Sequence, residues 1–368
     1  MKIRTFILLA AGVVLLAAAA AAAVPTQDSA LPVKGKVVTL NNAAQSLDKR
    51  LDAAREDFRK SNAGDLYFTG YVFPSRSTIH HCIGGRGGPF EVRVEGGDVE
   101  FRGHGDSESI ESSDHGGPAG LLLVNSLSKA GTPVLSAHLL DPAETYEFKT
   151  VPVYWLGSVD ADSSVACLDG IFERGGEEVR KSLVFVISQH STPRSFDFLK
   201  KAALGAGYGH EVQKDAIFWV GNSKDPRGLA LLKDIYGRTN ERELKEQVIF
   251  ALTLSDSKDA VEELIRLAKS ERNVEVKKNA IFWLGQKASQ ESVKTLKDLV
   301  DEPNGEVEVK DSAVFAISQL PKDKAVPMLV AIARENKSPA VRKKAIFWLG
   351  QTGDEEALKL FQEILLKK

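Results

Sequence analysis

Cysteine is scarce, and the two that occur, Cys82 and Cys167, allow one disulfide at most. In an exported chain an isolated pair is expected to be bonded, with two free, partly buried thiols as the alternative. Long apolar runs are missing too. Beyond residue 23 none is long enough to span a bilayer. Nor is there an excess of one charge: the 48 Lys and Arg, which include Lys2 and Arg4, face 50 Asp and Glu with the signs interspersed. A nucleic-acid binder needs a basic stripe and a membrane-surface binder a polybasic segment, so neither partner class is expected. There is no G-x-S-x-G and no H-E-x-x-H, which removes the serine-nucleophile and zinc-protease signatures.

What is present begins with a leader. Lys2 and Arg4 precede an apolar stretch from Phe6 to Leu16 and an alanine run from Ala17 to Ala23, before Val24-Pro25. That order predicts a secretory signal peptide over residues 1–23 and a periplasmic or secreted mature chain, with an uncleaved anchor as the competing reading. No cysteine follows the apolar stretch, so a lipid-anchored form is not expected.

All four tryptophans fall in one repeated phrase. Trp155, Trp219, Trp283 and Trp348 sit in YWLG, FWVG, FWLG and FWLG. Midway between them come Val184 to Ser188, Ile249 to Thr253 and Val314 to Ser318, so an aromatic recurs at Tyr154, Phe185, Phe218, Phe250, Phe282, Phe315 and Phe347. A period of roughly 32 residues is the mark of a solenoid, in which each unit buries its apolar face only against its neighbours. Each unit reads as helix, turn, helix. Val276, Ala280, Trp283 and Leu284 share one face of a first helix, Gly285 ends it, and Val293, Leu296, Leu299 and Val300 form the face of a second. Where tryptophan enlarges one position, glycine follows two residues later; where alanine or valine shrinks it, serine or threonine returns, as complementary packing between stacked helices requires.

The Val-basic pairs Val179-Arg180, Val276-Lys277 and Val341-Arg342, with Ala-Ile-Phe-Trp-Leu-Gly at Ala280 to Gly285 and Ala345 to Gly350, resemble the HEAT-repeat family. In length the units are similar to the short HEAT-like repeats of phycobilisome lyases. The resemblance covers residues 151–368 and implies an α-solenoid of about seven helical hairpins acting as a binding scaffold. It does not transfer an activity. HEAT-type enzymes that bind paired iron carry His-Glu dipeptides on several helices, whereas this chain has one, His210-Glu211.

Ile281 to Leu284 are four consecutive large apolar residues, which spread over most of a helix circumference. Two readings follow. The phenylalanines pack between units, or Phe218, Phe250, Phe282, Phe315 and Phe347 form a partner-binding ladder on the outer surface. Charged residues of the second helices, Glu262, Glu263, Arg266, Lys294 and Lys297, would supply specificity.

Residues 24–62 read as a tether, featureless to residue 39, followed by an amphipathic helix with Leu47, Leu51, Ala54 and Phe58 on one face. Residues 63–150 change to strands and turns. Phe90 to Val94 alternates, Gly96-Gly97 turns the chain, and Val99 to Phe101 alternates again, a hairpin in a small, mainly antiparallel β domain. That domain is expected to feed the first solenoid unit at Val151. Cys167, aligned with Thr295 and Glu263, is expected to face solvent and to reach Cys82, clamping the two domains.

Metal-ligating residue types gather between 80 and 115, namely His80, His81, Cys82, His104, Asp106, Asp114 and His115, without the spacing of a recognised site. Gly84 to Gly88 lacks the residues of a phosphate loop and reads as a turn. The sequence therefore predicts an exported scaffold that binds another protein, without catalysis or cofactor. The competing class is a metal-dependent enzyme or a metal or ligand sensor centred on residues 80–115.

Overall fold

The computed structural model describes residues 33–40, 42, 44–83, 90–95, 98–102, 108–113, 116–129, 133–255 and 257–366, with side chains outside 78–113. The expected signal peptide and the first part of the tether lie outside these residues. The rest of the tether does not stay featureless: Val33–Thr39 forms strand β1. Its sequence, VKGKVVT, is mostly exposed and carries little apolar alternation, which is why its periodicity was too weak to mark a strand.

Helix α1, Leu47–Ser61, buries Leu47, Arg50, Ala54 and Phe58 and stops at Asn62 in the left-handed conformation (φ 50°). It docks on the sheet. The Phe58 ring stacks on Tyr67 at 4.8 Å and meets Tyr154 edge-on at 6.5 Å. Arg50 is buried, and its Nη1 donates to the Leu156 carbonyl at 2.6 Å.

The strands that follow are β2 (Leu66–Ser75), β3 (Thr78–Ile83), β4 (Phe90–Glu95), β5 (Asp98–Arg102), β6 (Glu108–Ser113), β7 (Gly117–Ser126), β8 (Val134–Leu140) and β9 (Tyr146–Ser158). One sheet runs β5-β4-β9-β2-β7-β8, with β1 also on β9, and β3 pairs with β6 apart from it. The sheet is mixed rather than mainly antiparallel, because β9 runs parallel to β1, β2 and β4. The expected β4–β5 hairpin is present with Val94 opposite Val99.

Strand β9 also corrects the start of the solenoid. Tyr154-Trp155-Leu156-Gly157, which looks like the first helical phrase, is extended. Four residues fit either periodicity, and here Tyr146 to Val153 leads in, with Pro152 and alternating aromatics in place of the long helical approach of the later units. Alternation then sends Tyr154 to the α1 side and Trp155 to the other face. The Trp155 ring lies over Gly70, where a Cβ would fall 2.8 Å from it.

The helices begin with α2 (Ala161–Arg174), whose first turn is capped by Asp160 accepting from the Ser163 backbone N–H. Six hairpins follow: α3 (Glu177–Ser188) with α4 (Pro193–Leu204), α5 (His210–Asn222) with α6 (Gly228–Arg238), and α7 (Arg242–Thr253) with α8 (Lys258–Ser270). Then come α9 (Val274–Lys287) with α10 (Gln290–Asp301), α11 (Val307–Ser318) with α12 (Lys322–Glu335), and α13 (Pro339–Thr352) with α14 (Glu355–Leu366). Preceded by α2, these six hairpins form the α-solenoid among the described residues, and the expected first hairpin is replaced by β9 and α2. One continuous core runs from Tyr71, Phe73 and Leu121 of the sheet through Val165 and Leu168 to Leu360. No helix among the described residues is long and apolar enough to cross a membrane.

Candidate protein-binding surface

The odd-numbered helices from α3 to α13 place their aromatics in one unbroken ladder. Phe185 meets Trp219 at 5.3 Å, Phe218 stacks on Phe250 at 6.0 Å, and Phe250 meets Trp283 at 4.8 Å. Phe282 stacks on Phe315 at 6.2 Å, and Phe315 meets Trp348 at 5.0 Å. Within each Trp-bearing helix the adjacent Phe and Trp rings are edge-to-face at 5.0–5.1 Å. At the sheet end the Arg76 guanidinium lies 5.9 Å from the Trp219 ring centre.

Phe218, Phe250, Phe282 and Phe315 pack between units, yet each is only half-buried; Phe347, on the last unit, is 54% exposed because no further ring covers it.

The glycine alternation has a geometric cause. A Cβ on Gly221 would lie 2.5 Å from the Ala251 carbonyl oxygen, and one on Gly285 would lie 3.0 Å from the Ala316 Cβ. The Trp-x-Gly helices α5 and α9 thus rest their glycines on the alanine of the next unit. The α5–α7 and α9–α11 pairs are accordingly more closely packed than α7–α9 and α11–α13. The serine or threonine of the alternate phrase turns inward: Ser188, Thr253 and Ser318 donate to the carbonyls of Phe185, Phe250 and Phe315.

The second helices differ from expectation at one position. Glu262, Arg266, Lys294 and Lys297 are exposed, but Glu263 is buried, as are Thr295 and Cys167 at the equivalent places. That position faces the preceding element in the stack and looks solvent-facing only when a helix is considered alone. Glu263 is held by Arg266 at 2.6 Å and Lys233 at 3.6 Å. Burial opposes its ionisation, but these two cations outweigh it and keep the carboxyl below its usual range.

For Cys167 the preceding element is α1. The thiol is free and buried, so the clamp to Cys82 is not formed in this structure. Burial and the Asp48 carboxylate push the thiol well above its ordinary range. Cys167 is therefore expected to resist a thiol reagent in the folded chain and to react on unfolding; rapid modification without unfolding would contradict this placement.

The metal-type residues do not assemble into a described site. His80, His81 and Cys82 lie in β3, paired in register with Glu111, Ile110 and Ser109. His104, Asp106, Asp114, His115 and the Gly84–Gly88 turn lie outside the described residues.

A buried network at the junction of sheet and solenoid carries no sequence signature. Tyr71 Oη lies 2.8 Å from Ser164 Oγ, which lies 2.7 Å from His190 Nε2, while His190 Nδ1 is 3.0 Å from the Val186 carbonyl. A carbonyl only accepts, so Nδ1 carries the proton and Nε2 accepts from Ser164, which accepts from Tyr71. The imidazole stacks on Phe73 at 3.8 Å, and burial lowers its pKa from 6.5 to about 4.

Residues 305–368, which hold α11 to α14, match the family model for HEAT repeats. These units are HEAT repeats. The earlier hairpins carry the same aromatic phrase and extend the HEAT-like stack toward the sheet. No curated protein matches the chain in sequence. Among solved structures, human deoxyhypusine hydroxylase in complex with glycerol is similar at 19% identity and a TM-score of 0.25, over 56% of this chain and 79% of that one. AlkD2 from Streptococcus mutans is similar at 17% identity and a TM-score of 0.34, over 51% and 96%. At these scores neither supplies a function. Because a hydroxylase stands among the similar structures, the expectation that this chain acts without catalysis is withdrawn, and no activity of its own follows from them.

Proposed function

We propose that the chain is an exported scaffold that holds another protein against the first-helix face of its HEAT-like stack. The observation that carries this is the aromatic ladder, which runs unbroken from Phe185 to Phe347 while leaving its phenylalanines half-exposed. Rigid aromatic rings that are already ordered make good interface anchors, because little side-chain entropy is lost on binding. HEAT repeats commonly mediate protein interaction, which supports the same reading. Charges one turn before the rings, Lys214, Glu246, Lys278 and Asp311, would select among partners.

Export rests on the leader at residues 1–23. The test is a crosslinked pull-down of the tagged chain from its native envelope or secreted fraction. A partner is expected near stoichiometry, and it should be lost in Phe282→Ser or Phe315→Ser that remains folded by circular dichroism. Recovery of the chain from the cytosol with its leader intact, or an empty pull-down from both fractions, would count against this reading.

A further inference from the structure

The residues Ala280–Gln286 of α9 and Ala345–Gln351 of α13 are identical, reading AIFWLGQ. In α9 this face is covered by α11. Gly285 rests on Ala316, Phe282 stacks on Phe315 with 13° between the rings, and Ile281 is fully buried. In α13 the same face is open among the described residues. A Cβ on Gly350 would meet nothing within 4 Å, Phe347 is exposed, and Ile346 is only half-buried.

The second helix of the unit repeats the contrast. Ile364 and Leu365 of α14 are exposed, whereas their counterparts in α10, Leu299 and Val300, are buried. The interface that α9 makes inside the chain is therefore laid out again on α13 and α14, uncovered among the described residues.

Charge adds a further term. Asp311 of α11, four residues before its phenylalanine, pairs at 3.4 Å with Lys344 of α13, three residues before its own. Lys181 faces Asp215 in the same relation one end earlier. At the open end the equivalent residue is Lys343, which is exposed.

We propose that the α13–α14 end docks a helix from a partner protein, aligned as α11 is on α9. That helix would carry an aromatic followed directly by alanine or glycine, with an acidic residue three places before the aromatic. The aromatic stacks on Phe347, the small residue admits the helix backbone to Gly350, and the acid faces Lys343. A second copy of this chain is the poorer fit, because its own helices of this type are covered: α7 and α11 inside the stack, α3 by β8. This surface shares only Phe347 with the ladder face, and Gly350→Leu leaves Phe282 and Phe315 untouched, so the failure of one assignment can be told from the failure of the other.

The probe is a fluorescent peptide of residues 306–320, the α11 sequence, held helical by a side-chain bridge on its polar face and titrated into the full chain. Saturable binding is expected, at least tenfold weaker to Gly350→Leu, a variant that should fold because the site is open. Ser312→Glu in the peptide should tighten binding severalfold, and Lys343→Glu in the chain should reverse that gain. No saturable binding at millimolar peptide, or equal binding to Gly350→Leu, would overturn the proposal. So would dimerisation of the chain alone that Gly350→Leu abolishes, which would assign the face to a second copy.

Discussion

Between pH 6.5 and pH 4 the chain is expected to lose stability because of one buried histidine. His190 is neutral in the fold, its pKa lowered from 6.5 to about 4 by burial among Tyr71, Phe73 and Ser164. A lowered histidine pKa means that the unfolded chain binds the proton more readily than the folded one. The contribution is therefore present in full above about pH 6.5 and is lost as the pH falls through about 4. The linkage relation gives a loss of about 2 kcal/mol by about pH 5 and about 3 kcal/mol by about pH 4. Protonation would also break the chain of donors, since Nε2 could no longer accept from Ser164. Denaturant unfolding of wild type and His190→Gln at several pH values isolates the effect, because the variant cannot titrate there. Carboxylates such as Asp160 and Asp225, whose hydrogen bonds hold them below their usual range, act in the same direction but at lower pH. Parallel stability profiles for the two proteins above about pH 4.5 would contradict the placement of His190.

The second large effect concerns three glycines in the same phrase that should respond differently to alanine. Helix propensity alone favours alanine by about 1 kcal/mol at each site. At Gly221 the new methyl would sit 2.5 Å from a backbone oxygen of α7, so two helices must move apart, and overpacking of this kind costs about 1–3 kcal/mol. Displacement of backbone outweighs propensity, and Gly221→Ala should be destabilising. At Gly285 the contact is 3.0 Å from Ala316, so the loss should be smaller. At Gly350 nothing opposes the methyl, and alanine should stabilise by about 0.5–1 kcal/mol. Thermal unfolding of the three variants orders them directly. Equal shifts at all three positions would mean that the glycines are there for some reason other than the approach of the next helix.

The fold was legible wherever the pattern was long. Six first helices announce themselves through a phenylalanine every 32 residues or so with a run of helix-period apolar residues ahead of it. The same phrase at Tyr154 to Gly157 became strand β9, because four residues carry either period and only the flanks, with Pro152, decide between them. Cys167 and Glu263 were misplaced for a related reason. Their helix faces point at the preceding element of the stack, α1 or α6, and periodicity within one helix does not reveal which polar positions a neighbour will cover.

The candidate surface was half-legible. The sequence named the five phenylalanines, but whether they pack or project depended on the distance between units, and the answer is that they do both. The His190 network was invisible, since its members are Tyr71 of β2, Ser164 of α2 and His190 in the segment after α3, far apart in the chain.

The proposed scaffold role requires a partner along the first-helix face. A photo-crosslinking amino acid placed at Lys278, one turn from Phe282 on that face, addresses it directly, with the exposed Lys294 of the second-helix face as the control. Crosslinks from position 278 to one protein, with none from 294, are the expected result. Crosslinks from 294 alone would place the partner on the opposite side of the stack and contradict the assignment of the ladder.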